Sequence, residues 1–389
     1  MPPQVSAIVH RTGTYRTATV EETWERVRPL LPRFAITRVA DVTRLDEIGL
    51  PAHVTYRPVG RTIAVSIGIG LTTLQSRVSA VMESIESWHI ENPRLEVVAH
   101  DSAAGLNLSY DPRRLQLARR SPLSVHTVLD WVEGRGILTG ARQLVPYDTI
   151  ALDFTRRHSW RNVYFRPSSN GVASGNSFAE ATLHALHEIV ERDCISPYVH
   201  TGLAERVYID PSTSTHPDTK AILAAIVDAG CWVEVCELTN DIGIPCYGCT
   251  IWSEDVPMAF GGFGCHVSQD IAVGRSLAEA ALSRMAAVSG ARDDIDQDAY
   301  VVATQAPVPP TTISHPVAVL RPAPEPAGSI EEIVRSCAER VYAHTGVEPF
   351  TVDLTHADIG IPVSKVFAPG LSMMDERALG LRSGAPDAD

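Results

Sequence analysis

One pattern recurs three times along this chain, and it constrains the fold more than any other feature. Residues 40–51 read ADVTRLDEIGLP, residues 236–245 read CELTNDIGIP and residues 353–362 read DLTHADIGIP. An apolar run precedes each copy (AITRV, CWVEV, EPFTV) and a second follows it (HVTYRPV, YGCTIW, VSKVFAP). Apolar run, polar and glycine turn, then Ile/Leu-Pro and another apolar run is the signature of strand, tight turn, strand. Three copies predict a repeated unit feeding sheet structure. Apolar spacing of about 3.6 predicts helices over 75–91, 177–194, 217–229, 271–289 and 329–344. Strand pairs interleaved with helices give an α+β fold. The Pro- and Ala-rich stretch 306–328 reads as a connection, and the polar residues after 376 as a loose tail.

Composition excludes several classes. Of 389 residues, 44% are hydrophobic, enough to bury a full core. The 33 Lys and Arg against 46 Asp and Glu leave a net charge of −13, which argues against nucleic acid as a partner. No apolar run approaches the roughly 18–20 residues that span a bilayer, so no membrane association is expected. The start, MPPQVSAIVHRTG, shows no charged stretch followed by an apolar one. With an odd number of cysteines, seven, this reads as a cytoplasmic protein with free thiols. Only Lys220 and Lys365 are lysine, so a catalytic lysine has two candidates. No phosphate-binding loop of the Gly-x-x-x-x-Gly-Lys-Ser/Thr type is present.

Two helices carry acidic stripes. At about 100° per residue, Ser79, Glu83 and Glu86 share one face, opposite Val78, Val81, Met82, Ile85 and Trp88. In the next such helix Glu180, His184, Glu188 and Glu191 line up opposite Leu183, Leu186, Ile189 and Val190, with Arg192 directly after. A solvated stripe usually intersperses Lys or Arg at i+4; these do not. Small residues precede both helices, SIGIGLTT and SSNGVASGNS, which lets backbone N–H groups approach an anion. Clustered carboxylates repel unless a cation lies between them, and Mg²⁺ with a nucleotide triphosphate is the natural candidate. A third helix, after GGFGCH, carries Arg275, Glu279, Ser283 and Arg284, whose guanidinium groups suit phosphate oxygens.

Two other spacings suggest metals. Cys246-x-x-Cys249, with Cys231 and Cys236 nearby, has a zinc-like spacing, but strand alternation favours packed thiols. Glu86-x-x-His89 has the spacing of a di-iron ligand pair, yet no second copy exists. The histidines His53, His126, His158 and His266 are read as structural, and Trp88, Trp160, Trp232 and Trp252 as core or rim residues.

These motifs resemble the YcaO family of ATP-dependent, peptide amide-activating enzymes. The resemblance is carried by Ser79-x3-Glu83-x2-Glu86, by SNGVASGNSFAEATLHALHEIVERD from Ser169 to Asp193, and by EAALSRMAAVSGARDD at 279–294. It spans roughly residues 10 to 372. It implies a YcaO-like fold as one catalytic domain over 1–375, with sub-units about 1–160 and 161–375 and a tail at 376–389. It implies ATP bound with two or more Mg²⁺ ions. Glu83, Glu86, Glu188 and Glu191 would hold the metals. Ser79, Asn176, Glu180, His184, Arg192 and Arg275 would contact nucleotide or phosphate, as would Thr14 and Arg16 in the early GTYR segment. Arg192 and Arg284 would serve the phosphoryl group directly. The implied reaction is O-phosphorylation of a backbone amide in a ribosomally made precursor peptide, giving an azoline, a thioamide or an amidine. A TfuA-like partner protein and a homodimer are family-level expectations.

Three positions depart from the family pattern. Its common Gly-Lys-Gly is Gly68-Ile69-Gly70, its common Gln is Leu282, and the chain ends SGAPDAD without a proline-rich terminus. The last fits stand-alone or TfuA-associated members. The first two define an alternative: a catalytically weakened, peptide-binding scaffold subunit.

Overall fold

The structure is a computed structural model that describes residues 8, 13–155, 163–201, 206–290, 317–320 and 328–373. His158, Trp160, the 292–294 end of the third motif and the tail from 376 lie outside the described residues, as does most of 306–328. The elements run α1 (Val20–Val27), β1 (Arg38–Asp41), β2 (Ala52–Tyr56), β3 (Val65–Ile69), α2 (Thr73–Glu91), β4 (Ala99–Ser102), α3 (Ala103–Leu106), β5 (Val128–Gly136), β6 (Arg142–Pro146) and β7 (Val172–Ser174). They continue α4 (Phe178–Thr201), β8 (Tyr208–Asp210), α5 (Pro217–Asp228), β9 (Trp232–Glu237), β10 (Cys246–Trp252), β11 (Phe260–Cys265), α6 (Gln269–Ser289), β12 (Val317–Val319), α7 (Ile330–Thr345), β13 (Phe350–Asp353) and β14 (Val363–Phe367). The fold is α+β. Among the described residues no helix is long and apolar enough to cross a membrane.

Each copy of the repeated motif forms an antiparallel hairpin. β1 pairs β2, β9 pairs β10 and β13 pairs β14. The turn is the same in all three: Gly49, Gly243 and Gly360 have φ of 70°, 73° and 75°. That left-handed conformation strains any side-chain-bearing residue, which is why the motif keeps its glycine. In each unit a third antiparallel strand adds beside the second strand of the hairpin: β3 on β2, β11 on β10, β7 on β14. A helix follows that third strand, giving α2, α6 and α4. In the last unit the third strand and helix precede the hairpin in sequence, so long-range pairing assembles it.

The first two units also share a close packing contact. A Cβ on Gly68 would lie 2.2 Å from the backbone N of Ala80, and one on Gly262 would lie 2.1 Å from that of Ala280. Strand and helix backbones touch there, and no side chain fits between them.

Three sheets result, ordered β1-β2-β3, β11-β10-β9-β8-β12 and β4-β5-β13-β14-β7, with β6 on β5. The Pro- and Ala-rich connection contributes structure that composition does not announce: Val317–Val319 pairs in parallel with β8. Helix ends follow local chemistry. Thr72 with Gln75, and Ser329 with Glu332, make reciprocal capping boxes on α2 and α7.

The di-iron spacing does not assemble. His89 Nδ1 donates to Ile85 O, 2.7 Å away, and the ring packs against those of Phe34, Trp88 and His356, whereas Glu86 turns to Ser174. Burial pushes the His89 imidazole down to about 4. Its unfolded value is about 6.5, so between those two values unfolding takes up a proton. Stability therefore falls as pH drops through that window, by up to ~1.4 kcal/mol per pH unit for this one group. His89→Gln should reduce the pH slope of the unfolding free energy there by about one proton, measured by urea denaturation across the window. An unchanged slope would contradict the assignment.

Candidate nucleotide and metal site

The N-terminal segment, α2, α4 and α6 meet around one acidic centre. Glu180, in the first turn of α4, is fully buried and accepts four kinds of donor. Arg16 Nη1 lies 2.9 Å away, Thr17 donates its backbone N–H at 2.9 Å and its hydroxyl at 2.7 Å, and the Asn176 amide donates at 3.2 Å. Burial alone would raise this carboxyl. Arg16 and Thr17 outweigh it and hold Glu180 ionised, below the ordinary carboxylate range. Asn176 is in turn fixed by Thr23, whose hydroxyl donates to Oδ1 at 2.9 Å. One turn along α4, His184 Nε2 lies 3.2 Å from the Thr14 hydroxyl.

The charge of Arg16 is also felt on the other acidic helix. It acts electrostatically on Glu86 of α2 as well as on Glu180. Glu86 accepts from both the backbone N–H and the hydroxyl of Ser174, each at 2.8 Å. Ser174 ends β7, so this contact ties α2 to the glycine-containing loop that opens α4. Even so, burial pushes the Glu86 carboxyl up to about 7, with Ser174 and Arg16 only partly offsetting it.

α6 closes the other side. Glu279 accepts from the backbone N–H of Phe263 at 3.2 Å. Its carboxyl is raised by burial and then by the neighbouring negative charge of Glu191. Arg192 Nη1 lies 3.7 Å from Glu191. Arg275 bears on Glu279, His184, His187 and His266, and its Nε is buried without a hydrogen-bond partner. Burial, with the adjacent arginines, keeps these three imidazoles neutral, His187 down at about 3. His187 and His266 stand 4.9 Å apart, and Tyr15 meets the edge of His266 at 4.7 Å.

Thus Thr14, Arg16, Glu86, Asn176, Glu180, His184, Glu191, Arg192 and Arg275 are brought into one neighbourhood. Ser79 sits on the exposed side of α2 beside Gly68, and Glu83 is half-buried one turn further on. Glu188 is half-buried on α4 and supports the charge of Lys365.

Arg284 requires a correction. It does not reach this centre: it is 1% exposed, bound to Asp46 at 2.8 Å and Asp255 at 2.6 Å, and to the Ser253 hydroxyl. Five residues after Glu279, it projects about 140° around α6, toward the first repeat. It locks α6 to the β1–β2 turn.

Other side chains play structural parts. Ile69 and Leu282 both pack into apolar clusters, Ile69 with Ile48 and Leu50, Leu282 with Val54, Ile67 and Ala286. Cys246 and Cys249 are two of seven buried free thiols; Cys246 lies against Cys194 and Cys265. Thr17 and Ser174 are site residues that the stripe arithmetic does not select, because their contacts run through backbone N–H groups far away in sequence.

The donor set suits a nucleotide with Mg²⁺. Among the described residues no three His, Cys, Asp or Glu side chains are gathered tightly enough to hold a metal unaided. Mg²⁺ characteristically takes one or two carboxylates and completes its shell with water and phosphate oxygens. Glu86 and Glu279, raised by burial, and the Arg275 guanidinium, whose Nε is buried without a hydrogen-bond partner, provide both kinds of partner.

Comparison with known proteins identifies the family. An uncharacterized protein of Mycobacterium tuberculosis is 36% identical, over 94% of this chain and 84% of its own length. An uncharacterized protein of Rhizobium leguminosarum bv. trifolii, named for the tfuA 3′ region, is 30% identical over 92% of this chain and 89% of its own. Among solved structures, YcaO from Methanopyrus kandleri bound with AMPPCP and Mg²⁺ superposes with a TM-score of 0.75 at 21% identity, covering 95% of both chains. The family model described as YcaO cyclodehydratase, ATP- and Mg²⁺-binding, matches residues 67–372. That match covers most of the sequence and all three acidic or basic helices, and the chain belongs to the YcaO family.

Proposed function

We propose that this protein uses ATP and Mg²⁺ to activate a backbone amide of a ribosomally made peptide by O-phosphorylation. The observation that carries the reading is the buried Glu180 carboxylate of one acidic helix, paired with Arg16 at 2.9 Å, whose positive charge also acts on Glu86 of the other. Family membership supports it, as do solved neighbours such as a heterocyclase in complex with substrate and cofactor, alike in fold with a TM-score of 0.76 at 18% identity.

In this reading Glu83, Glu86, Glu188 and Glu191 hold Mg²⁺, which neutralises phosphoryl charge. Thr14, Arg16, Ser79, Asn176, Glu180, His184 and Arg275 position the nucleotide, and Arg192 faces the transferring group. Arg284 is left out, because its donors are committed to Asp46, Ser253 and Asp255. A nucleophile adds to the amide carbonyl carbon. The oxygen takes the γ-phosphoryl group, ADP forms, and cleavage of the carbon–oxygen bond releases phosphate. The protein's task is positioning and charge neutralisation, as in other phosphoryl transfers. A neighbouring Cys, Ser or Thr gives an azoline, sulfide a thioamide, an amine an amidine. The relative named for the tfuA 3′ region supports a TfuA-like partner.

The test is incubation of the protein with its precursor peptide, ATP and Mg²⁺, followed by mass spectrometry. Loss of one water indicates ring closure; exchange of oxygen for sulfur indicates a thioamide. Glu191→Ala should abolish either change. An unmodified peptide in the presence of every candidate nucleophile and partner would contradict the proposal.

A further inference from the structure

A cavity of about 740 Å³ lies away from the acidic centre, where the β1–β2 turn, the α5–β9 connection and the open end of the β9–β10 hairpin meet. Pockets that hold organic ligands run to about 300–1,000 Å³. Trp232 and Trp252 both line it. They are directly opposed in the β9–β10 register, so both indoles rise from the same face of the sheet. Each is half-buried. Among the described residues the cation–ring contacts fall on Trp24, Tyr198 and Phe367, so neither indole carries a cation of the protein's own. The polar wall is acidic: Glu47, Asp228, Glu254 and Asp255 line the cavity, and no lysine or arginine does. Asp255 is committed to Arg284. Glu47, Asp228 and Glu254 are exposed, and among the described residues none of the three is ion-paired.

We propose that this cavity docks an arginine- or lysine-bearing segment of the peptide substrate, its cations set against the two indoles and the three unpaired carboxylates. The choice of the substrate peptide as occupant rests on the amide-activation reading. Indole is the ring face best suited to a cation, and a guanidinium stacked on it still donates to carboxylates at its edge. Exposed carboxylates alone would be a solvated surface. The tryptophan pair gives them a shaped apolar floor, of the kind on which binding energy concentrates. A metal ion does not fit the same walls, because among the described residues no three His, Cys, Asp or Glu side chains are gathered closely enough. The lining shares no residue with the acidic centre, so a segment held here leaves the nucleotide site open. Ser253 and Asp255 on the same wall bind Arg284 of α6, which fixes the cavity relative to the helix that carries Arg275 and Glu279.

Calorimetric titration of the nucleotide-free full chain with capped tetra-arginine, and separately with capped tetra-glutamate, tests the site. Tetra-arginine should bind and tetra-glutamate should not. Trp252→Leu keeps the net charge and an apolar side chain, and should weaken tetra-arginine binding about tenfold. Glu254→Gln should weaken it about threefold; it changes an exposed residue, which guards against a Trp252→Leu protein that fails to fold. Glu339→Gln makes the same charge change at an exposed position on α7 and should leave binding unchanged. With precursor peptide, ATP and Mg²⁺, Trp252→Leu should raise the peptide KM about tenfold at unchanged kcat. No binding of tetra-arginine, or binding that Trp252→Leu and Glu254→Gln weaken no more than Glu339→Gln does, would overturn the site. Tetra-arginine that binds here without inhibiting modification of the precursor peptide would give the cavity to a basic partner protein and overturn the peptide assignment. Glu83→Ala should keep tetra-arginine binding while losing Mg-ATP, which separates failure of this site from failure of the nucleotide reading.

Discussion

Glu180→Ala should weaken Mg-ATP binding by about 100-fold, and the loss should come with a measurable drop in stability. The carboxylate is fully buried and gathers Arg16, both donors of Thr17 and the Asn176 amide. Removing one member of a buried ion pair costs about 3–5 kcal/mol, because the remaining charge is stranded. Arg16 is one-third exposed, so water recovers part of that, and about 2–3 kcal/mol is the expected figure. A hundredfold change corresponds to about 2.7 kcal/mol. Glu180→Gln keeps an acceptor for Thr17 while losing the charge facing Arg16, and should fall between. Calorimetry with Mg-ATP and thermal unfolding on all three proteins decide the matter. Unchanged affinity in Glu180→Ala would mean that the N-terminal segment contributes nothing to the nucleotide site.

The largest effect on the fold is expected at Glu91. This residue ends α2 and pairs with Arg57, each 2% exposed. Glu91 also accepts from Thr62, whose backbone N–H lies 3.0 Å away, and Arg57 Nε donates to Phe34 O at 3.3 Å. Glu91→Ala leaves a buried guanidinium with that single carbonyl, and should destabilise the protein by about 3–5 kcal/mol. Replacing both partners with apolar residues, Arg57→Met with Glu91→Leu, should recover most of the loss, since no uncompensated charge remains. Urea denaturation measures both. A cost below about 1 kcal/mol in the single variant would show that water reaches Arg57.

The two cases also show what a linear sequence conveys about this molecule. The hairpins were readable because their determinants are local: a left-handed glycine at 49, 243 and 360, then proline, between apolar runs. The helices were readable for the same reason, through apolar spacing and the small residues ahead of α2 and α4. The third unit was not, because β7 joins β14 across nearly two hundred residues and strand pairing at that distance leaves no local mark. The same limit applies to the site. Helical arithmetic gathers Glu180, His184, Glu188 and Glu191 on one stripe, yet the partners of Glu180 come from residues 16 and 17. Arg284 shows the converse error. Its place in a motif suggested phosphate, while its rotation around α6 and the distant Asp46 give it a structural task.

The measurement that bears most directly on the central claim is calorimetric binding of ATP to the purified protein, with and without Mg²⁺, alongside Glu83→Ala and Glu191→Ala. The two substitutions lie on different helices, α2 and α4, that the fold brings together. A nucleotide held between them requires Mg²⁺ and is lost in both variants. Binding that ignores Mg²⁺, or that survives both substitutions undiminished, would place the nucleotide elsewhere and bring forward the scaffold reading, in which peptide binding needs no metal.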